Sequence, residues 1–242
     1  MKTQFCIIGA TSGTGLRIAR QSMQGGFSVR IVARDPDKAR RVLDNKVEVR
    51  PGDVTDGPSI RSAIAQDCTA IFFTVAAGGG IDGHGMFALE SKIREVTYQG
   101  LVNVVDAARS IGFSGRIILP SLVGVDRPSV LIRILDKIKP GLQRNLIERE
   151  LYLRASGMDY TVLRAPILTN APAGGVALEI TRAVNRLTAR SKISRSDLAR
   201  VMIVAAQQPA ASRKTFELLA SKGAAPSDRL LIEQLERIPA GS

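Results

Sequence analysis

A seven-residue turn, Gly9-Ala-Thr-Ser-Gly-Thr-Gly15, stands between an apolar run and an amphipathic pattern. Before it, Phe5-Cys-Ile-Ile8 reads as a buried strand. After it, Leu16, Ala19 and Met23 recur at helical spacing until Gly25-Gly26 stops the helix. Glycines at 9, 13 and 15 let the backbone turn sharply and approach a ligand closely. The helix that opens there offers unpaired N–H groups and the positive end of its dipole. A three-glycine run can also be a bare structural turn. Its place between a first strand and a first helix favours a dinucleotide pyrophosphate, held by Gly9, Thr11, Ser12, Gly13, Thr14 and Gly15.

The rest of the chain keeps the alternation that this turn begins. Val29–Ala33, Val47–Val49, Ala70–Val75, Arg116–Leu119, Tyr160–Leu163 and Thr215–Leu219 read as strands. Amphipathic stretches lie between most of them, including a long helix ending near Ser110 and two basic helices, about 129–139 and 143–155, split by Pro140-Gly141. The pattern predicts an α/β fold, a doubly wound, Rossmann-like parallel sheet with helices on both faces, as a single domain. Residues 1–222 would form the NAD(P)-binding unit, with a substrate or lid region around 125–155 and 166–195, and 223–242 a C-terminal helix and tail. Hydrophobic residues make up 45% of the 242 and charged residues 23%, which excludes disorder. No uncharged apolar stretch is long enough to cross a membrane, and the start lacks a signal-peptide pattern. Two cysteines, Cys6 and Cys68, are too few for a disulfide framework, so a reducing cytoplasm is the expected location.

The end of the second strand selects the cofactor. An acidic residue there accepts hydrogen bonds from the ribose of NAD, whereas an arginine suits the 2′-phosphate of NADP. Here Val32-Ala33-Arg34-Asp35-Pro36 puts Arg34 first, and Asp35 ahead of a proline reads as a helix cap. NADP (as NADPH) is the expected cofactor; the rival is that Asp35 turns inward and holds NAD.

These elements together resemble the atypical short-chain dehydrogenase/reductases, in the NAD(P)H-binding group that includes biliverdin/flavin reductase-like and nitrogen-regulator-like proteins. The resemblance rests on the glycine turn, Val29–Lys38, Gly52-Asp-Val-Thr-Asp56, Tyr98–Asn103, Ser121-Leu-Val-Gly-Val125, Leu153–Arg164 and Ile193–Ala199, in that order. It implies that Asp53 and Val54 flank the adenine, although Asp53 also reads as a turn cap. It implies further that Val75, Ala76 and Ala77 pass the riboses, and that Pro166 and Ile167 meet the nicotinamide. Ser121 matches the family's active-site serine. Two departures accompany the likeness. The glycine spacing is that of the ordinary short-chain enzymes, and the Tyr-x-x-x-Lys pair is missing: Val102, Ser156 and Arg164 stand four residues after Tyr98, Tyr152 and Tyr160.

Without that pair, Ser121 and the lone histidine, His84 in a glycine-rich loop, are the catalytic candidates. Hydride transfer needs a cofactor, an oriented acceptor and exclusion of water. A small apolar or aromatic carbonyl, quinone, flavin or enone fits such a site, because solvent can supply the proton. The alternatives are an NADP-binding redox sensor or scaffold without turnover, and an isomerase or lyase using a bound nicotinamide. The net charge of +12 is concentrated in residues 125–200, where fourteen Lys and Arg oppose seven Asp and Glu. With 4% aromatics and no Trp, no specific nucleic-acid partner is expected. The expected partner is a small-molecule substrate, and a homodimer is allowed.

Overall fold

The computed structural model describes residues 4–76, 89–127, 129–182 and 185–238. Strand β1 (Gln4–Ile8), helix α1 (Gly13–Gln24), β2 (Ser28–Ala33), α2 (Pro36–Val42), β3 (Glu48–Pro51), α3 (Gly57–Ala63) and β4 (Ala70–Phe73) make the first half. They are followed by α4 (Glu90–Arg94), a π-helical turn at Glu95–Gln99, α5 (Gly100–Ser110) and β5 (Arg116–Leu122). Then come α6 (Val130–Ile138), α7 (Leu142–Ala155), β6 (Asp159–Ala165), β7 (Ile167–Thr169) and β8 (Ala177–Thr181). The chain closes with β9 (Lys192–Ser194), α8 (Arg195–Gln207), β10 (Lys214–Ser221) and α9 (Asp228–Glu236).

The main sheet runs β3-β2-β1-β4-β5-β6-β10-β8 and is parallel except where β8 pairs antiparallel with β10. Each central strand is apolar on both faces, as a sheet covered twice requires. Phe5 and Ile7 point into a core shared with α1, α2, α8 and α9; Cys6 and Ile8 point into the other, shared with α3, α5 and α7. The same alternation places Ile117 and Leu119 of β5 on the α5/α7 face and Ile118 on the opposite one. Leu231 and Leu235 of α9 are fully buried in the α1/α8 core.

The antiparallel edge strand β8 and the two-stranded β7–β9 pair are features that the sequence pattern did not announce. The long helix ending at Ser110 is interrupted by the π-helical turn rather than continuous. Of the two basic helices, α7 lies on the sheet, whereas α6 buries Ile132 against Val123 and Leu187 in a small satellite cluster at the end of β5. Val130, Ile134 and Ile138 on its other side are exposed. No helix among the described residues is long and apolar enough to cross a membrane.

Candidate functional site

Because β1 through β6 are mutually parallel, the segments after their carboxyl ends gather along one edge of the molecule. The Gly9–Gly15 turn, Arg34, Asp53-Val54, Val75-Ala76, Ser121 and Pro166-Ile167 all lie at these ends. Ala77 and His84 fall outside the described residues.

Gly9 and Gly13 adopt positive φ, +96° and +57°, which side chains rarely tolerate. A Cβ on Gly13 would meet nothing within 4 Å, so the turn leaves open space on that side. A Cβ on Gly15 would collide with the Gly9 carbonyl and with Thr74 Oγ1. Gly15 is therefore where α1 presses against the turn and the residue that follows β4. Ser12 caps α1 in extended geometry with no side-chain hydrogen bond, and no acidic residue stands in the first turn. The first amides and the positive dipole end are thus left for an anion, which fits a pyrophosphate. Thr74, which the sequence reading passed over, donates to the Ile8 carbonyl at 2.9 Å and ties the turn to β4. Its only sequence signal is a hydroxyl where the apolar run of the fourth strand stops.

At the far end, Arg34, Arg50–Asp53, Asp56, Ser59, Ser62 and Ala63 line a cavity of about 520 Å³. Asp35 Oδ1 accepts a hydrogen bond from the Lys38 N–H at 2.8 Å and caps α2, as its place before a proline predicts. Asp53 Oδ1 accepts from both the N–H and the hydroxyl of Thr55, each at 2.9 Å. Burial raises the Asp53 carboxyl, but these two bonds and the charges of Arg34 and Lys92 outweigh it and hold it below the usual carboxylate range. The turn-capping role of Asp53 is therefore present, and its second oxygen has no part in it. Val54 is buried beneath the π-turn, its carbonyl accepting from Asn103 Nδ2 at 2.7 Å, with Gly100 close against its side chain.

The three tyrosines have different surroundings. Tyr152 donates to Asp106 at 2.6 Å, and burial together with that carboxylate pushes it up to about 12. Tyr160 is packed in the core, and the Arg94 guanidinium covers the Tyr98 ring at 4.2 Å. Ser121 lies on the β5 face that meets α5 and α7, and its Oγ is buried with no hydrogen-bond partner among the described residues. Pro166 is buried, and the Ile167 N–H donates to the Ser191 carbonyl at 3.2 Å, where β7 pairs with β9.

One turn apart on α7, Asn145 and Arg149 are also buried, 1% and 6% exposed, and sequence reasoning missed both. Each has one orphaned atom, Nδ2 and Nε respectively. The available signal was their i, i+4 spacing on the same side as Leu146 and Leu153. Next to Arg149, Glu150 carries a different load: it binds the buried Arg164 guanidinium at 2.9 Å and Arg154 at 3.0 Å. Burial disfavours the charged Arg164, but Glu150 and Asp126 more than restore it, raising it above the ordinary guanidinium value.

An uncharacterized chloroplastic protein of Arabidopsis thaliana is 30% identical over 223 residues, covering 88% of this chain and 75% of that protein. An uncharacterized sugar epimerase of Bacillus subtilis, YhfK, is 25% identical over 213 residues, 88% of this chain and 92% of its own. Among solved structures, the anaerobilin reductase ChuY of Escherichia coli O157:H7 superposes with TM-score 0.69 at 24% identity, covering 90% of this chain and 97% of its own. A short-chain dehydrogenase/reductase of Veillonella parvula in complex with NADP does so at 0.67 and 17%, with 90% and 94% covered. The NAD(P)H-binding family model matches residues 9–209, beginning at the first glycine of the phosphate turn and ending beyond α8. On that match, and with the turn's open amides to receive the phosphates, the chain belongs to the NAD(P)H-binding family.

Proposed function

We propose that the protein is an NADPH-dependent reductase that delivers hydride to a small apolar or aromatic carbonyl, quinone, flavin or enone. The observation that carries the reading is the state of its tyrosines. Burial and the Asp106 hydrogen bond push Tyr152 toward its neutral form, opposite to the activation that proton donation near neutral pH requires. An acceptor that takes its proton from water needs no such residue. Arg34 supports NADP over NAD, because it lines the cavity beside Asp53, whereas Asp35, the residue that would bind the NAD ribose, does not and caps α2 through Oδ1. The NADP carried by the Veillonella structure and the reductase activity named for ChuY agree with this choice.

Epimerase chemistry is the second reading, favoured by the Bacillus subtilis relative. Sugar epimerisation through a nicotinamide demands a proton relay at the reacting hydroxyl, and Tyr152, held neutral by burial and Asp106, argues against that role for it. NADPH consumption across a panel of quinones, flavins, enones and ketones tests the proposal. Rapid oxidation with at least one acceptor is expected. Tight NADPH binding without turnover on any of them would replace the reductase with a redox sensor or scaffold.

A further inference from the structure

Five buried side-chain polar atoms lack a hydrogen-bond partner among the described residues, and three of them, Ser121 Oγ, Asn145 Nδ2 and Arg149 Nε, belong to the end of β5 and to the helix that Arg149 bonds to it. Folded proteins satisfy almost all such atoms, so a cluster of orphans calls for a ligand. The topology explains why they share a face. Ser121 continues the Ile117, Leu119 series of β5, which points at α5 and α7. From α7, Arg149 Nη2 donates to the carbonyl of Pro120, the residue next to Ser121. Asn145 lies one turn nearer the helix N-terminus, toward the carboxyl ends of the strands. Its amide orientation is set from outside: Arg94 Nη1 donates to Oδ1 at 3.0 Å, so Nδ2 must face the other way.

All three orphans can act as hydrogen-bond donors, and one belongs to a cation. Arg149 forms no ion pair among the described residues, since the adjacent Glu150 is engaged by Arg164 and Arg154. Burial lowers its guanidinium to about 10, which still leaves it charged at neutral pH. A buried positive charge facing a carbonyl and unused donors is a site prepared for negative charge on oxygen.

We infer that Ser121, Asn145 and Arg149 form an oxyanion pocket for the acceptor, and that the acceptor is a conjugated carbonyl compound of the quinone or enone class, whose reduced oxygen is delocalised enough to be held as an anion until water protonates it. This rests on the reductase reading above. An enone that receives a hydride at its β-carbon ends with the electron pair on oxygen as an enolate, and a quinone that receives it at one oxygen ends with the pair on the other as a phenolate; water protonates either afterwards. Ser121 and Asn145 donate to that oxygen; Arg149 holds the β5 end and supplies the compensating charge.

Binding of 4-nitrophenol, followed by its absorbance in protein saturated with NADP+, tests the pocket without turnover. The phenol should bind as phenolate at pH values where it is neutral in solution. Asn145→Leu and Arg149→Met should each weaken phenolate binding at least tenfold and shift ionisation of the bound probe to higher pH. Arg149→Lys should restore part of the effect. NADP+ affinity, read separately, should stay unchanged. Phenolate binding that is equal in parent and variants overturns the pocket, as does a parallel loss of NADP+, which would assign these donors to the cofactor. Should Arg149→Met fail to fold, Asn145→Leu and Asn145→Asp decide, the latter expelling the phenolate by repulsion. Cluster-dependent phenolate binding in a protein that reduces no acceptor would support the pocket while removing the reductase reading, so the two can fail separately.

Discussion

Two glycines six atoms of backbone apart answer to different masters. Gly13 has φ +57° and open space around its missing Cβ, whereas Gly15 is pressed against the Gly9 carbonyl and Thr74. Gly13→Val should therefore leave a folded protein, weakened by about 1–2 kcal/mol from the left-handed backbone, but abolish NADPH binding by filling the phosphate approach. Gly15→Val should lose the fold of the turn itself. Calorimetric titration beside thermal melting separates the two; undiminished affinity in Gly13→Val would remove the turn from the cofactor site. Arg34 is tested by selectivity. Arg34→Ala should cost NADPH about 1.5 kcal/mol or more, roughly tenfold in affinity, by deleting hydrogen bonds to a charged group. NADH should be nearly unaffected, and equal losses for both would show that Arg34 does not read the 2′-phosphate. Residues of this kind were legible in the sequence because a glycine spacing or a strand-end charge carries its chemistry locally. Asn145 and Arg149 were not, since a polar residue on a basic helix looks solvated until the opposing strand is known.

At the scale of elements, helix α7 is attached to the sheet through charge as well as through the buried Leu153. Arg164 of β6 is 7% exposed and bound by Glu150 of α7 at 2.9 Å, with Asp126 at 2.8 Å and Glu217 at 3.6 Å around it. Removing one partner from such a buried pair strands the other, which costs about 3–5 kcal/mol. Glu150→Gln should lower the urea midpoint by a corresponding amount, and a change below about 1 kcal/mol would mean that Asp126 and Glu217 carry the guanidinium alone. Neither the pair nor its helix face could be read from sequence, because Arg164 sits at the end of an apparently apolar strand. The central parallel strands were legible for the opposite reason: burial on both faces makes them continuous apolar runs. Strands β7 and β9 have three residues each, too short to show a period, and β8 shows only Leu178 and Ile180 as its buried pair. The π-helical turn before α5 inserts a local change of pitch that hydrophobic spacing over a long helix averages away.

For the molecule as a whole, pH reports on contacts that single distances cannot rank. Glu48 shows the acid side: burial raises its carboxyl, but Arg30 and Arg50, at 3.0 and 2.8 Å, lower it further. With the folded value depressed, its contribution to stability is present above the ordinary carboxylate range and fades as pH falls through the lowered one. Asp53 follows the same sign. Tyr152 acts at the other limit, because burial and the Asp106 hydrogen bond raise it to about 12, above the usual tyrosine value. A raised pKa on an acid stabilises the folded state fully below the unfolded value of about 10, and that contribution disappears as pH climbs to about 12. Tyr152→Phe should consequently be less stable than the parent near neutral pH, since it leaves Asp106 without a donor from α7, while NADPH turnover remains nearly intact. The gap between the two proteins, measured from urea midpoints at a series of pH values, should narrow steadily once pH passes about 10. A gap that stays constant would show that Asp106 does not raise the phenol, and one that widens would show that the fold favours its ionised form. A large fall in turnover for Tyr152→Phe at unchanged NADPH affinity would return a tyrosine to the chemistry and with it the proton relay that an epimerase needs.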